Sequence, residues 1–273
     1  RYAARNALLP SVTGFGMACD QMALGLSTIT LIRGRNNILV DVAHYGRRRL
    51  IEAALKSLKL TPNDIDMVIL THAHWDHCQN IDLFPKARFF INPVETKYTR
   101  SPRTGDWATP SYFANTLLGY DVHEATEGTE IEPGVRILET PGHTKGHIAV
   151  LVQTPEGPVC IGADAFADAD TITRGIPRNI FWSVDQAQRS VKKIMNAAQV
   201  IYPGHDRPFK LNGDGSIQYI GGASSLQVFG GLERGGSPVG VTLSLNPAYE
   251  PFILPEAKST RTTRARVSRR QQR

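Results

Sequence analysis

Between residues 72 and 77 the chain places His72, His74, Asp76 and His77, in the stretch "LTHAHWDHCQN" directly behind the apolar run "MVIL". Imidazole nitrogens and a carboxylate oxygen are donors that suit zinc, iron or manganese. In an extended segment side chains alternate, so His72 and His74 point to one side. Asp76 and His77 then fall on the turn into a following helix and face a second point. Four such donors plus others overfill one ion, and two adjacent metals sharing the cluster is the natural reading. Further donors recur at strand ends: His143 in "ETPGHTKGH", Asp164 in "CIGADAF" and His205 in "IYPGHDRP". Pro-Gly precedes both histidines, a tight turn that lets a short side chain reach back over a sheet edge. One histidine at a strand end is ordinarily a cap or a surface residue; this many together point to a metal centre.

The elements that must position these residues are legible in outline. "LSTITLIRGRNNILVDVA" reads as two strands around the turn "GRNN", and "GRRRLIEAALKSLKL" as a helix with a stripe of Leu50, Ile51, Ala54, Leu55 and Leu58. "DMVIL" is a short, fully apolar strand that delivers the histidine cluster at its C-terminal end, where α/β folds place ligands. "ARFFINP", "GVRILETPG", "HIAVLVQTPEG", "PVCIGADAF" and "QVIYPGH" supply further strands, with a hairpin at "TPEG". "SVDQAQRSVKKIMNAA" opens on a capping box of Ser183 and Gln186, so a helix follows. Two halves of strands followed by helices suggest a four-layer αββα sandwich, two mixed sheets face to face with helices outside. The aromatic, aperiodic stretch from Tyr98 to Leu118 reads as a substrate lid. The region from 212 to 240, with nine glycines in 29 positions, reads as hairpins and loops.

With 273 residues and 41% hydrophobic content, the chain has enough apolar material for a sizeable core. We expect one domain over residues 1–257 and a basic, disordered tail over 258–273. The formal net charge is +6, yet residues 258–273 carry seven basic side chains and no acid, which leaves residues 1–257 at about −1. The basicity therefore belongs to the tail and is weak evidence for a nucleic-acid partner. Cys19, Cys78 and Cys160 form no CxxC pair, which argues against a zinc ribbon or disulfide framework and fits a reducing, cytoplasmic setting. The first residue is Arg1, read as a trimmed or processed end. No secretory signal core and no membrane-spanning run are read.

"THAHWDH", followed by "TPGHTKGH", "GAD" and "PGH", resembles the metallo-β-lactamase superfamily in its dinuclear hydrolase branch, over roughly residues 25 to 210. The resemblance implies the αββα fold. It assigns His72, His74 and His143 to one metal and Asp76, His77 and His205 to a second, with Asp164 bridging them. It implies two divalent ions, zinc first, with iron, manganese or cobalt as alternatives. His147 matches a histidine that supports such sites without binding metal. His44 and His123 match no ligand position, and His44 is the better candidate to lie beside the ligands. Trp75 reads as packing or pocket wall, and Cys78 as a small buried filler. A hydroxide held between two divalent cations is a nucleophile at neutral pH, because coordination lowers the pKa of water to about 7. Asp76, as the catalytic residue, would orient it and shuttle its proton.

Within this resemblance two activities stand out. The first is a lactonase or related small-molecule ester hydrolase, similar to the N-acyl homoserine lactone hydrolases. Those enzymes carry a tyrosine three residues after the bridging aspartate, where this chain has Ala167; Tyr45, Tyr98 or Tyr112 would have to substitute. The alternative is a small ribonuclease or phosphodiesterase, because the chain is also similar to small animal metallo-β-lactamase-domain proteins linked to histone pre-mRNA cleavage. A phosphate-gripping groove would draw on Arg47, Arg48, Arg49, Lys145, Arg174, Arg178 and Arg207. The expected partner is thus a small-molecule substrate, with nucleic acid second, no membrane, and an oligomer open.

Overall fold

A computed structural model describes residues 6–18, 23–221 and 251–258. The strands are β1 (Ala7–Val12), β2 (Phe15–Ala18), β3 (Ala23–Leu26), β4 (Ile29–Arg33), β5 (Asn37–Val40), β6 (Met67–Ile69), β7 (Arg88–Ile91), β8 (Asp121–Glu124), β9 (Glu130–Glu132), β10 (Val135–Glu139), β11 (Ile148–Thr154), β12 (Gly157–Ala163), β13 (Asn179–Ile180), β14 (Val200–Pro203), β15 (Phe209–Leu211), β16 (Ile217–Tyr219) and β17 (Phe252–Ile253). The α-helices are α1 (Arg48–Ser57), α2 (Trp75–Cys78), α3 (Pro93–Thr99), α4 (Phe113–Thr116), α5 (Thr171–Arg174) and α6 (Val184–Ala197).

Two sheets form the centre. One runs β1-β4-β5-β6-β7-β8, and the other β16-β15-β14-β12-β11-β10-β9. In the first, β5 to β8 are parallel and β1 and β4 antiparallel. In the second only the β12–β14 pair is parallel. The layering follows from which side chains alternate to which face. Ile32, Ile38, Val40, Met67 and Ile69 of the first sheet meet Ile137, Val150, Val152 and Ile161 of the second in the inter-sheet core. Leu31, Leu39, Val68 and Phe89 turn the other way, onto Ile51 and Leu55 of α1. Ala149, Cys160 and Ile201 turn outward onto Val191 and Ile194 of α6. This is the αββα sandwich expected from the sequence, and β6 reads as an unbroken apolar run because both of its faces are buried.

Several details differ from expectation. Leu50 is exposed, because the buried stripe of α1 centres on Ile51 and Leu55, one position round the helix. At the N-terminus of α6 only half of the capping box forms: Gln186 N donates to Ser183 Oγ at 3.3 Å, while Gln186 Oε1 is buried without a partner. β8 is an edge strand with all four residues exposed, which removes the alternation that would mark it in the sequence. The glycine-rich segment yields β16 up to residue 221, and residues 222–240 and the tail from 259 onward lie outside the described residues. Among the described residues, no helix is long and apolar enough to cross a membrane.

The stretch from Tyr98 to Leu118 is more firmly anchored than a lid needs to be. Tyr98, Phe113 and Leu117 are buried. The Asp106 carboxylate accepts hydrogen bonds from Tyr98 Oη at 2.8 Å, Ala108 N at 3.1 Å, Thr109 N at 3.0 Å and Thr109 Oγ1 at 2.9 Å. Only Trp107, Tyr112 and Leu118 of its large apolar side chains face outward.

Candidate metal centre

The sandwich converges its loops at one edge. The loop after β6 carries His72 and His74 and runs into α2, which carries Asp76 and His77. The β10–β11 connection carries His143 and His147, Asp164 follows β12 directly, and His205 follows β14. Two backbone bonds tie the sheets at this edge, Ile148 N to Thr71 O at 2.9 Å and Thr28 N to Gly204 O at 2.6 Å. All seven residues expected as ligands meet here. Their donor atoms fall into three groups, each lying within 4.8 Å: His72, His74 and His143; His72, His77 and Asp164; and Asp76, His77 and His205. Asp164 stands between them, with Oδ1 3.2 Å from His77 Nε2 and Oδ2 3.2 Å from His205 Nε2 and 3.4 Å from His143 Nε2.

Close approach at this edge requires glycine. A Cβ on Gly204 would lie 2.0 Å from Asp164 Oδ1, and one on Gly25 would lie 2.4 Å from Asp76 Cβ. Ala163, immediately before Asp164, and Asp41, at the end of β5, both have positive φ, at 42° and 61°. Non-glycine residues in that region cost on the order of 1–3 kcal/mol each and persist where the surroundings fix them.

On four of the five imidazoles, those of His72, His77, His143 and His205, the outer nitrogen is occupied by the protein. His77 Nδ1 donates to Asp41 Oδ2 at 2.7 Å. Thr71 Oγ1 donates to the same carboxylate at 2.8 Å, so it accepts from His72 Nδ1 at 3.0 Å. His143 Nδ1 donates to Asn179 O at 2.6 Å, and His205 Nδ1 faces Leu26 O at 3.2 Å. In the neutral imidazole these partners select the tautomer that leaves Nε2 as a bare lone pair. On His74, Nε2 faces Asp106 Oδ1 at 3.9 Å, and Nδ1 points to His143 Nε2 at 2.9 Å. The inward atoms His72 Nε2, His77 Nε2 and Asp164 Oδ1 are buried without a hydrogen-bond partner. Buried polar atoms are rarely left so, and lone pairs converging at this spacing fit divalent cations.

Charge divides the site in two. Burial, followed by the neighbouring imidazoles, holds His72 and His74 well below the usual histidine pKa, and burial also lowers His143. This trio is neutral and ready to bind metal. Burial alone would push His77 and His205 down as well, but Asp164 and Asp76 outweigh it and raise both, with Asp41 adding to the effect on His77. Burial would raise the Asp164 carboxyl, while His205 and His77 hold it well below its ordinary value.

The remaining expectations sort clearly. His147 accepts from Ala165 N at 3.2 Å through Nε2, and its Nδ1 meets Thr140 Oγ1 at 2.8 Å. It braces the Asp164 turn with both nitrogens engaged. His44 caps a turn through Gly46 N at 3.0 Å and packs its ring 5.2 Å from Trp75. His123 is exposed on β8. Trp75 is half-buried and Cys78 fully buried. Three functional side chains escape the sequence reading. Asp41 orients two ligand histidines. Glu95, fully buried, accepts from Ala73 N at 3.1 Å, Thr144 Oγ1 at 3.0 Å and Gly146 N at 2.7 Å, and so clamps the His72–His74 loop to the His143 loop. Phe181 packs its ring 4.7 Å from His74 and 5.7 Å from His143, and Trp107 packs 5.5 Å from Phe181. Only Asp41 has a sequence signal, an acid closing an apolar strand as Asp164 does.

Comparison with known proteins agrees with this geometry. The family model of the metallo-beta-lactamase superfamily matches residues 23–205. The probable metallo-hydrolase of Methanocaldococcus jannaschii is 31% identical over 169 residues, covering 62% of this chain and 70% of that protein. An N-acyl homoserine lactonase of Bacillus sp is 29% identical over 157 residues, covering 56% of this chain and 60% of that one. The crystal structure of an N-acyl homoserine lactone hydrolase, with N-hexanoyl-L-homoserine at its catalytic metal center, superposes with a TM-score of 0.55. It is 20% identical and covers 75% of this chain and 90% of that one. The chain belongs to the metallo-beta-lactamase superfamily and is a metallo-hydrolase of that family.

Proposed function

We propose that this hydrolase is a lactonase or related small-molecule ester hydrolase that works with two divalent cations, zinc first. His72, His74 and His143 would hold one ion, Asp76, His77 and His205 the other, and Asp164 both. The observation that carries this reading is the set of buried, unpartnered inward atoms His72 Nε2, His77 Nε2 and Asp164 Oδ1, with the outer nitrogens of His72 and His77 already engaged. When bound, such ions supply Lewis acidity, lowering the pKa of water to about 7 and polarising the scissile carbonyl.

The chain's own residues do the rest. The Asp76 carboxylate is 3.5 Å from His205 Nε2 and 3.7 Å from His77 Nε2, at the inner face of the cluster. There it orients the attacking water and carries its proton toward the leaving oxygen. Phe181 and Trp107 form an apolar wall beside the three-histidine group that excludes water and orients an acyl chain. The Tyr98 hydroxyl is bound to Asp106 and Arg103 N, so it does not replace the tyrosine absent at Ala167. Tyr45 and Tyr112 are both exposed.

The small-ester reading is favoured over the phosphodiesterase by how the basic residues are spent. Arg47 is buried and donates to Ser27 O and Thr13 O. Arg48 pairs with Asp82, and Arg174 and Arg178 both pair with Asp168. Lys145 lies over the Trp182 ring. Among the described residues no extended cationic track remains for a polyanion. Relatives include an N-acyl homoserine lactonase and metallo-beta-lactamase domain-containing protein 1 at the same 29% identity, so the choice rests on the basic residues. A pH-indicator assay on a panel of lactones, run beside a fluorogenic RNA, tests the choice. Lactone turnover is expected; RNA cleavage alone selects the phosphodiesterase, and inactivity on both with metals bound refutes both.

A further inference from the structure

A cavity of about 320 Å³ opens beside the metal centre, with His205 in its wall. The rest of the lining is strongly charged and includes Arg178, Arg207, Asp168, Asp206 and Tyr219. Of the three acids in the lining, Asp170 has a 78% exposed side chain and reaches only Arg174, at 3.8 Å, while Asp168 and Asp206 are consumed by donors. Asp168 takes Arg174 and Thr171 N on Oδ1 and Arg178 on Oδ2. Asp206 takes Arg207 N on Oδ1, and Ala169 N and the Tyr219 hydroxyl on Oδ2, at 2.7, 3.2 and 3.0 Å. Neither carboxylate offers a cage for a cation.

The cationic side differs. The Arg207 guanidinium sits over the Tyr219 ring, with Cζ 4.0 Å from its centroid. Among the described residues no carboxylate pairs with it. This cation–π contact holds the guanidinium in place without using its N–H groups on a carboxylate. Across the cavity, Arg178 is held in place by Asp168 and by the bare backbone of Gly16, where a Cβ would come within 2.8 Å of Nη1. Planar guanidinium groups of this kind recognise carboxylate and phosphate oxygens through paired hydrogen bonds. The volume admits one small group, not a polymer.

We propose that this cavity binds an oxyanion, a carboxylate or phosphate set off from the scissile bond, and that Arg207 is a specificity-determining residue for it. The proposal rests on the hydrolase reading above and narrows its substrates to anionic esters or lactones: the anion would sit beside His205 while the scissile carbonyl lies at the metal centre.

The zinc-loaded enzyme is assayed on two matched chromogenic esters, neutral 4-nitrophenyl butyrate and singly charged 4-nitrophenyl hemisuccinate. The ratio of kcat/KM, charged over neutral, is expected to favour the charged ester and to fall about tenfold or more in Arg207→Ala, with partial recovery in Arg207→Lys. An identical ratio in wild type and Arg207→Ala overturns the proposal. Calorimetric titration with succinate and with inorganic phosphate separates the two oxyanion sources, since the stronger Arg207-dependent binding marks the one recognised. If neither ester turns over, the ester-hydrolase reading fails by itself, and these titrations still decide the cavity: anion binding equal in wild type and Arg207→Ala refutes it.

Discussion

Asp41 Oδ2 lies 2.7 Å from His77 Nδ1, and the same carboxylate reaches His72 through the Thr71 hydroxyl. One buried acid thus fixes the tautomer of a histidine in each half of the cluster. Asn tolerates the positive φ of Asp41 better than most residues, so Asp41→Asn keeps the backbone and removes the charge. Zinc affinity is expected to drop about 10–100-fold, measured by chelator competition. Unchanged affinity would show that Asp41 does not tune the ligands.

Asp164 and Asp76 raise the pKa of His77 and His205 above that of an ordinary histidine, so the metal-free protein keeps protons on both to higher pH. Binding requires neutral imidazoles, so zinc uptake should release protons, and more of them as pH falls. Calorimetry in buffers of different ionisation enthalpy counts them. Affinity should weaken as pH falls, and zinc uptake with no proton release would contradict the charge assignment.

Glu95 is expected to give the metal-free protein a stability term of opposite slope to an ordinary carboxylate. Burial raises its pKa from 4.5 to about 7 against the pull of its three donors. A raised carboxyl binds its proton more tightly in the folded state, so its contribution is full below about pH 4.5 and is lost as pH rises to about 7. Wild type should therefore lose up to about 3 kcal/mol relative to Glu95→Gln across that window, read from denaturant melts. Parallel pH profiles would place the Glu95 pKa near its unfolded value.

Trp107 is 54% exposed although it packs on Phe181. As part of the proposed acyl wall, its replacement by Ala should raise KM for long-chain lactones roughly tenfold, with a smaller change for short-chain ones. Equal effects on both chain lengths would remove Trp107 from the wall.

The candidate ligands that the structure brings together were legible because each leaves a local mark: donors at strand ends, tight turns before His143 and His205, and an apolar strand before His72. The sandwich was legible for the same reason, through the periodicities of β4 to β7, β10 to β12, α1 and α6. What escaped is set by contacts distant in sequence. Glu95 carries no mark of its role in the sequence and gains it only when α3 delivers it between Ala73 and Gly146. Phe181 gains its role only by meeting His74. Arg47 reads as a surface cation, and only the packing of Ser27 and Thr13 against it makes it internal. Edge strand β8 has no buried face to pattern its sequence.

The central claim is that two ions share this cluster. Metal analysis of zinc-reconstituted, dialysed wild-type protein beside His205→Ala tests it most directly. About two zinc ions per chain are expected in the wild type and about one in His205→Ala. One zinc or none per wild-type chain would contradict the account.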